Sequence, residues 1–178
     1  MNEVEAARGG NRVVALAAAI VAVLAALGTL FSHHRSIGAL SAKNQAILAQ
    51  SRATDTYNLY EAKQIRYNIY RALLSSDLVR GAHNRARLES IAQEERTTSP
   101  AVLERAKALE AAATHDDERS ESILSSYETL LFATTLFEVS IVIISIAALS
   151  GARIFLPLAG GISIIGLILF FAGLLRTH

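Results

Sequence analysis

The 178-residue chain contains no cysteine, no tryptophan and only two prolines. Without cysteine it has no disulfide, no thiolate metal ligand and no thiol nucleophile, and the sequence gives no redox indication of its compartment. A net charge of +1 produces no long-range field that would attract nucleic acid, so we expect no nucleic-acid partner.

Charge is almost missing from the two ends of the chain. Residues 32–128 contain 13 Lys/Arg and 13 Asp/Glu, whereas the other 81 residues contain only four Lys/Arg and three Asp/Glu. Apolar residues concentrated in this way exclude an ordinary water-soluble globule, and the scarcity of proline argues against most β-rich architectures. The sequence predicts an all-α membrane protein.

Three runs are long enough to cross a bilayer: residues 13–31, 129–150 and 154–175. The shortest, at 19 residues, spans about 29 Å as a helix, close to the ~30 Å of the hydrocarbon core. A cleaved signal peptide is the alternative for the first run, but that run exceeds the usual apolar region of about 7–15 residues. We therefore predict three transmembrane helices, a short tail at 1–12 and another at 176–178.

Basic residues beside the runs indicate an orientation. The segment 32–128 exceeds the ~60 residues over which the positive-inside rule holds, so its charges are discounted. Arg8, Arg12 and Arg153 then lie on one side and Arg176 on the other. This favours a multi-pass protein of the bacterial inner membrane, with a cytoplasmic N-terminus and residues 32–128 on the outer face.

The middle segment is rich in Ala, Glu, Gln, Arg, Lys and Leu, which favour helices. Possible N-caps at 75–77 and 97–99, the latter before Pro100, divide it into helices at about 33–74, 77–96 and 100–128. Both ends must return to the same membrane face. We therefore predict an extramembrane helical hairpin, a coiled-coil stalk whose first and last helices continue into the membrane.

Apolar residues recur at three- and four-residue spacing along this stalk, as in knobs-into-holes packing. The stripes are thin and partly alanine, so we expect the stalk to associate with further copies or with other membrane-protein subunits. The predicted packing residues are Tyr60, Tyr67, Tyr70, Leu74, Val102, Leu109, Ile123 and Tyr127.

Small residues line two of the membrane runs. Ala18, Ala22 and Ala26 form a ridge at four-residue spacing, and Gly166 and Gly173 lie on one stripe of the last run. Small residues let helix backbones approach closely in lipid, although Ala and Gly are also simply common there.

Glu138 is the acid inside the three apolar runs. None of these runs contains Lys or Arg, and an ionised group near the midplane costs about 2.5–3.5 kcal/mol. Its side chain is therefore expected to be protonated, hydrogen-bonded or facing a polar cavity. Ser145 shares its face, and Ser163 lies at similar depth as the expected partner. A packing hydrogen bond and a proton or cation relay both remain open, with packing favoured.

Other clusters point less clearly to chemistry. The tyrosine stripe beside Lys63 and Arg66 is read as core rather than as a ligand site. His33 and Arg35 are read as interfacial anchors and the acidic run 116–118 as a solvated surface. No phosphate loop, serine triad or paired-carboxylate site is evident, so we expect no catalytic residue, no cofactor and no metal.

Three segments resemble a bacterial membrane-protein family, domain of unknown function four-three-three-seven. They are residues 12–16, residues 54–63, which are similar to the family's Asp-x-Trp-x-x-Tyr-Gln-Ala-Lys, and residues 134–149. Tyr57 and Glu61 stand where the family usually has Trp and Gln. The resemblance implies three spans and a helical extramembrane hairpin, and it supplies no activity.

The sequence thus favours a structural or accessory membrane protein in contact with lipid, either a homo-oligomer or a small subunit of a larger complex. The alternatives are an oligomeric ion or proton conductor that uses Glu138, and a ligand-sensing helical bundle. An enzyme is the class that the sequence indicates least.

Overall fold

The computed structural model describes residues 2–76, 78–151 and 154–176, with side chains from residue 12 onwards, and these residues are helical apart from two short connections. The helices are α1, Asn2–Ser75, α2, Ala82–Ser150, and α3, Phe155–Leu175. Each contains a segment that is long and apolar enough to cross a membrane. The predicted all-α class with three membrane-capable helices is confirmed.

Helical continuity extends further than the sequence predicted at the N-terminus. The expected tail at 1–12 is helical from Asn2, and α1 continues without a break through the first apolar run to Ser75. α2 likewise continues from the middle segment through the second run to Ser150. A glycine with φ of 67°, Gly151, follows α2, and its amide donates to the carbonyl of Ala147 at 3.1 Å, which is the usual left-handed end of a helix.

The connection between α1 and α2 differs in detail from the prediction. Ser75 and Ser76 were expected to cap the start of the next helix, but their hydroxyls donate back to carbonyls of the last turn of α1, at 2.9 and 2.8 Å. Asp77 lies outside the described residues. The new helix begins after Gly81, whose φ of 91° suits glycine and whose carbonyl accepts from Arg85.

The predicted break before Pro100 is wrong, because α2 is one helix across it. Proline inside a helix removes one backbone hydrogen bond and costs about 3 kcal/mol. Thr98 and Ser99 do not cap a new helix. Their hydroxyls donate to the carbonyls of Glu94 and Glu95, at 2.8 and 2.7 Å, within the turn before the proline. Because residues on both sides of Pro100 pack on α1, tertiary packing keeps the helix continuous.

The chain forms two compact units. The terminal unit comprises Met1–Ser41 and Arg119–His178, and the middle unit comprises Ala42–Glu118. The core of the terminal unit draws on all three helices and is built from Val21, Ala25, Leu130, Ala133, Phe137, Ile144, Ala159 and Phe170. Phe170 contacts both Phe31 and Phe137 edge-on, with ring centroids 6.0 and 6.4 Å apart.

In the middle unit, an α1 segment and an α2 segment pack antiparallel. On α2, the buried residues Ala92, Ser99, Ala106 and Ala113 recur every seven positions, and on α1 Ala46 and Ala53 are also seven apart. A seven-residue repeat keeps one face of a helix towards its neighbour over many turns. The middle unit is therefore held by a seam of very small side chains.

Candidate functional site

Gly28 of α1 and Thr134 of α2 mark a close approach of these helices in the terminal unit. A Cβ built on Gly28 would collide with the hydroxyl of Thr134. Thr134 is buried, and its hydroxyl donates to the carbonyl of Leu130 at 2.9 Å. The missing side chain at residue 28 thus lets a polar side chain lie between the two helices.

A groove of about 300 Å³ lies next to this contact, between α1 and α2. Four of its residues follow one face of α1 and five follow one face of α2, and all but Leu131 are polar. They are Thr29, Ser32, His33, Ser36, Tyr127, Leu131, Thr134, Thr135 and Glu138. The groove therefore brings a carboxylate, an imidazole and six hydroxyls together along otherwise apolar helices.

Ser32 is the best-buried of the α1 residues in this groove. Its exposed fraction is 4%, and its hydroxyl has no hydrogen-bond partner among the described residues. A buried hydroxyl without a partner costs about 1–3 kcal/mol. This unsatisfied group lies on the wall of a polar groove, where it can hydrogen-bond to a polar guest.

Glu138 contributes to this groove rather than to a contact with α3. Ser163, its expected partner, has a buried hydroxyl with no hydrogen-bond partner in the described part of the chain, so the predicted pair does not form. Glu138 and Ser163 do not meet because α3 packs on a neighbouring face of α2, where Phe137 lies against Gly166. Glu138 is exposed and lines the polar groove.

Two glycines predicted for helix packing let α3 approach α2 closely. A Cβ on Gly166 would lie 3.0 Å from the ring of Phe137, and one on Gly173 would lie 2.9 Å from Leu130. Ala18, Ala22 and Ala26 behave differently. Ala18 is half-buried and the other two are exposed, while the buried face of this α1 segment carries Val21, Ala25 and Gly28.

Ser145, the remaining predicted polar residue of the second run, lies beside a different cavity. Its hydroxyl donates to the carbonyl of Ile141 at 2.8 Å, within α2. The cavity has a volume of about 250 Å³, and its other lining residues are all apolar: Val14, Ala15, Ala18, Ile144 and Ala148. The groove and this cavity are separate, so the structure does not bring Ser145 to Glu138.

The middle unit contains an ion cluster that joins its two helices. Lys63 donates to Glu95 at 2.8 Å and to Thr98 at 2.9 Å, and Arg66 pairs with the other oxygen of Glu95 at 3.0 Å. The Lys63 and Glu95 side chains are only 17% and 13% exposed. Since two cations satisfy one largely buried carboxylate, this cluster fixes the register of the two helices.

Tyr57, in the segment that carries the family resemblance, makes a second link in this unit. Its hydroxyl donates to the Glu110 carboxylate at 2.7 Å. This hydrogen bond, with further contributions from desolvation and from the negative charge of Glu110, raises the pKa of Tyr57. The segment 54–63 thus supplies two side chains, Tyr57 and Lys63, that contact α2.

The residues predicted to pack in the stalk are all half-buried. In the middle unit, Tyr60, Tyr67 and Leu74 continue the seven-residue spacing of Ala46 and Ala53. The other members in that unit are Tyr70, Val102 and Leu109, and Ile123 and Tyr127 belong to the terminal unit. Their packing against further copies stays a prediction.

Sequence reasoning missed His33 as a neighbour of the Glu138 site. A signal was present, because Thr29, Ser32 and Ser36 share one helical face with it at the edge of an apolar run. The pairing of that face with Thr134, Thr135 and Glu138 depends on the register of α1 against α2. No group of three or more His, Cys, Asp or Glu side chains suited to a metal occurs in the described residues.

Comparison with known proteins identifies one family. Its model, Domain of unknown function (DUF4337), matches residues 10–176, which is nearly the whole chain. No curated protein sequence and no solved structure matches the chain.

Proposed function

The chain belongs to this uncharacterised family, and on that premise we propose that it is a non-enzymatic structural or accessory membrane protein that assembles with further copies of itself. Three helices anchor it in the bilayer. The middle unit forms a coiled-coil stalk, and one face of α1 in that unit makes the contact between copies.

The observation that carries this proposal is an asymmetry between the two helices of the middle unit. On its α1 segment, several large apolar side chains have exposed fractions of 46–58%. On residues 82–118 of α2, all of which the structure describes, no large apolar side chain is exposed. The exposed residues are Ile47, Leu48, Leu59, Ile65 and Ile69. The outward face of the α2 segment is therefore polar, whereas the outward face of the α1 segment carries a discontinuous row of apolar side chains.

The interior of the middle unit gives the complementary argument. Among its described residues, the buried apolar ones are all alanines: Ala42, Ala46, Ala53, Ala92, Ala106 and Ala113. Alanine buries little area, so this seam supplies a small share of the burial that stabilises a unit of this size. The larger apolar side chains of α1 are available for a contact outside the unit.

The energetics favour a contact between two α1 faces. Burying the exposed half of an Ile or Leu contributes about 1 kcal/mol. Five such residues on each of two copies give about 10 kcal/mol, of the same order as the ~4–15 kcal/mol cost of association. Anchoring both copies in one membrane plane reduces that cost. A symmetric dimer, in which the same face meets itself, is the simplest arrangement that covers both surfaces.

The proposed topology places the N-terminus in the cytoplasm and the middle unit on the outer face of a bacterial inner membrane. Arg8, Arg12 and Arg153 on the inner side, against Arg176 on the outer side, support this orientation. Cysteines placed at Ser41 and Asn2, and labelled in intact cells with a membrane-impermeant maleimide, test it. Labelling at residue 41 without permeabilisation is expected, and at residue 2 only after it.

Native mass spectrometry of the full chain in nanodiscs tests the assembly. The wild type is expected as a dimer or higher oligomer, and the double variant Ile65→Gln/Ile69→Gln as a larger fraction of monomer. Glu61→Gln/Asn68→Gln is the matched control, since both residues are exposed on α1 and lie outside the apolar face. A monomeric wild type would contradict the proposal, and a constant mass of another protein would assign the face to a larger complex instead.

A further inference from the structure

We propose that the groove between α1 and α2 is a water-filled half-channel through which Glu138 takes up and releases protons at the end of the spans where His33 lies. The proposal is independent of assembly through the middle unit, because all residues of the groove belong to the terminal unit.

The length of the groove connects Glu138 to the end of the apolar runs. Its lining on α2 extends from Tyr127 to Glu138, eleven residues or about 16 Å along the helix axis. Tyr127 precedes the second apolar run, and His33 and Ser36 follow the first. One end of the groove therefore lies at the boundary of the spans, and the other lies well inside them.

The chemistry of the lining suits water and protons. Thr29, Thr134 and Thr135 donate their hydroxyl protons to carbonyls of their own helices, at 3.1, 2.9 and 3.0 Å. Their oxygen lone pairs remain free to accept hydrogen bonds from a guest. These hydroxyls thus supply acceptors along the wall, which is what a chain of water molecules between His33 and Glu138 requires.

Ser32 is the second and independent observation. It is more than nine-tenths buried, it lines the groove, and its hydroxyl has no partner among the described residues. A buried water molecule typically makes about three hydrogen bonds to groups left unsatisfied by the protein. Water in the groove would satisfy Ser32, which no described side chain of the terminal unit does.

The charge of the groove selects a proton over other guests. The titratable groups on its wall are His33, Tyr127 and Glu138, so a single carboxylate faces it. The described residues contain no cluster of acids or histidines suited to a metal, and the α3 segment 155–175 carries no charge. A divalent cation normally takes several carboxylate or carbonyl oxygens, whereas one carboxylate binds one proton.

Infrared spectroscopy of the full chain in liposomes tests this assignment through the carbonyl band of a protonated carboxyl group. After a rapid pH decrease, the wild type is expected to gain a band that Glu138→Gln lacks. Glu128→Gln, which changes an exposed acid of α2 outside the groove, is expected to keep it. The absence of a band that depends on Glu138 would overturn the proposal.

The rate at which that band appears tests the path that the proton takes along the groove. His33→Gln and Thr135→Leu are expected to slow its appearance by roughly tenfold or more, since a positioned proton-transfer group typically contributes 10²–10⁴-fold. His34→Gln is the matched control, because His34 is exposed on the same helix and does not line the groove. Unchanged rates in both groove variants, with thermal unfolding like that of the wild type, would overturn the proposal. Loss of the band on adding Na⁺ at constant pH would also overturn it and assign the groove to an alkali ion.

Discussion

Ser126 of α2 donates a hydrogen bond of 2.6 Å to the backbone carbonyl of Gly173 in α3. Gly173 lies in the last turn of α3, where carbonyls have no partner within the helix. Ser126 therefore supplies a hydrogen-bond partner for a carbonyl at the end of α3, beside the fully buried Leu130. This hydrogen bond ties the C-terminal turn of α3 to α2 and fixes the register of the two helices.

Ser126→Ala is expected to lower the free energy of unfolding by about 1–3 kcal/mol, because the buried Gly173 carbonyl loses this hydrogen bond. Thermal unfolding of the full chain in detergent measures the change. Ser125→Ala is the control, since Ser125 is exposed and its backbone carbonyl, which the substitution keeps, accepts from Thr129. Equal unfolding temperatures for the two variants would contradict the role of this bond.

Gly166→Ala is expected to destabilise the terminal unit by about 1–3 kcal/mol, as overpacked cores do. The new Cβ would meet the Phe137 ring at 3.0 Å and the Ala133 carbonyl at 3.3 Å, and Phe137 is fully buried. Gly161→Ala, on the same helix with open space around it, is expected to be neutral or slightly stabilising. Chemical or thermal unfolding of both variants measures the two stability changes. A Gly166→Ala variant more stable than the wild type would contradict the prediction and show that the Phe137 ring has room to move.

Glu95→Gln is expected to destabilise the middle unit by about 1.5–3 kcal/mol, because Lys63 and Arg66 would lose their shared carboxylate. Glu104→Gln is the comparison. It removes an exposed pair with Lys107, whose worth is about 0–1 kcal/mol. Circular dichroism during urea unfolding measures the stability change in both variants. Equal changes would mean that burial of the cluster does not increase its contribution to stability.

Tyr57 is expected to ionise at higher pH than an ordinary tyrosine, since its hydroxyl donates to Glu110. Ultraviolet absorbance of tyrosinate follows the five tyrosines of the chain, and Tyr57→Phe should remove the late-titrating component. Glu110→Gln should lower the pKa of Tyr57 towards its ordinary value.

The same shift has a defined effect on stability. Because the folded-state pKa of Tyr57 is raised, its contribution is fully present below the unfolded pKa of about 10 and is lost as the pH rises through the folded value. The stability difference between wild type and Tyr57→Phe should therefore shrink only at strongly alkaline pH. A constant difference across that range would contradict the link to Glu110.

Most of the helical layout follows from local sequence. Apolar length alone places the spans, and the change of direction near Ser76 follows from the need to return to one membrane face. Pro100 shows where local reasoning stops. A proline preceded by three hydroxyl residues is a good helix start, yet the seam residues Ala92, Ser99 and Ala106 keep one helix running through it.

The candidate site was predictable only in part. An acid inside an apolar run identifies Glu138 from the sequence, since its burial in lipid is costly wherever it points. Its neighbours depend on which face of α2 packs on which helix, and the expected partner Ser163 lies at the right depth but against a different face.

The amino-acid sequence by itself determined that this protein has three apolar helices, a charged helical middle and an acid within one span, because length, composition and spacing are properties of the chain alone. The tertiary structure decided that α1 and α2 close around Gly28 and Thr134, and that His33, Ser32 and Glu138 share one groove. Which residues come together depends on the rotation of each helix about its axis and on the register between helices. Both are set by how whole helix faces fit together rather than by any one segment.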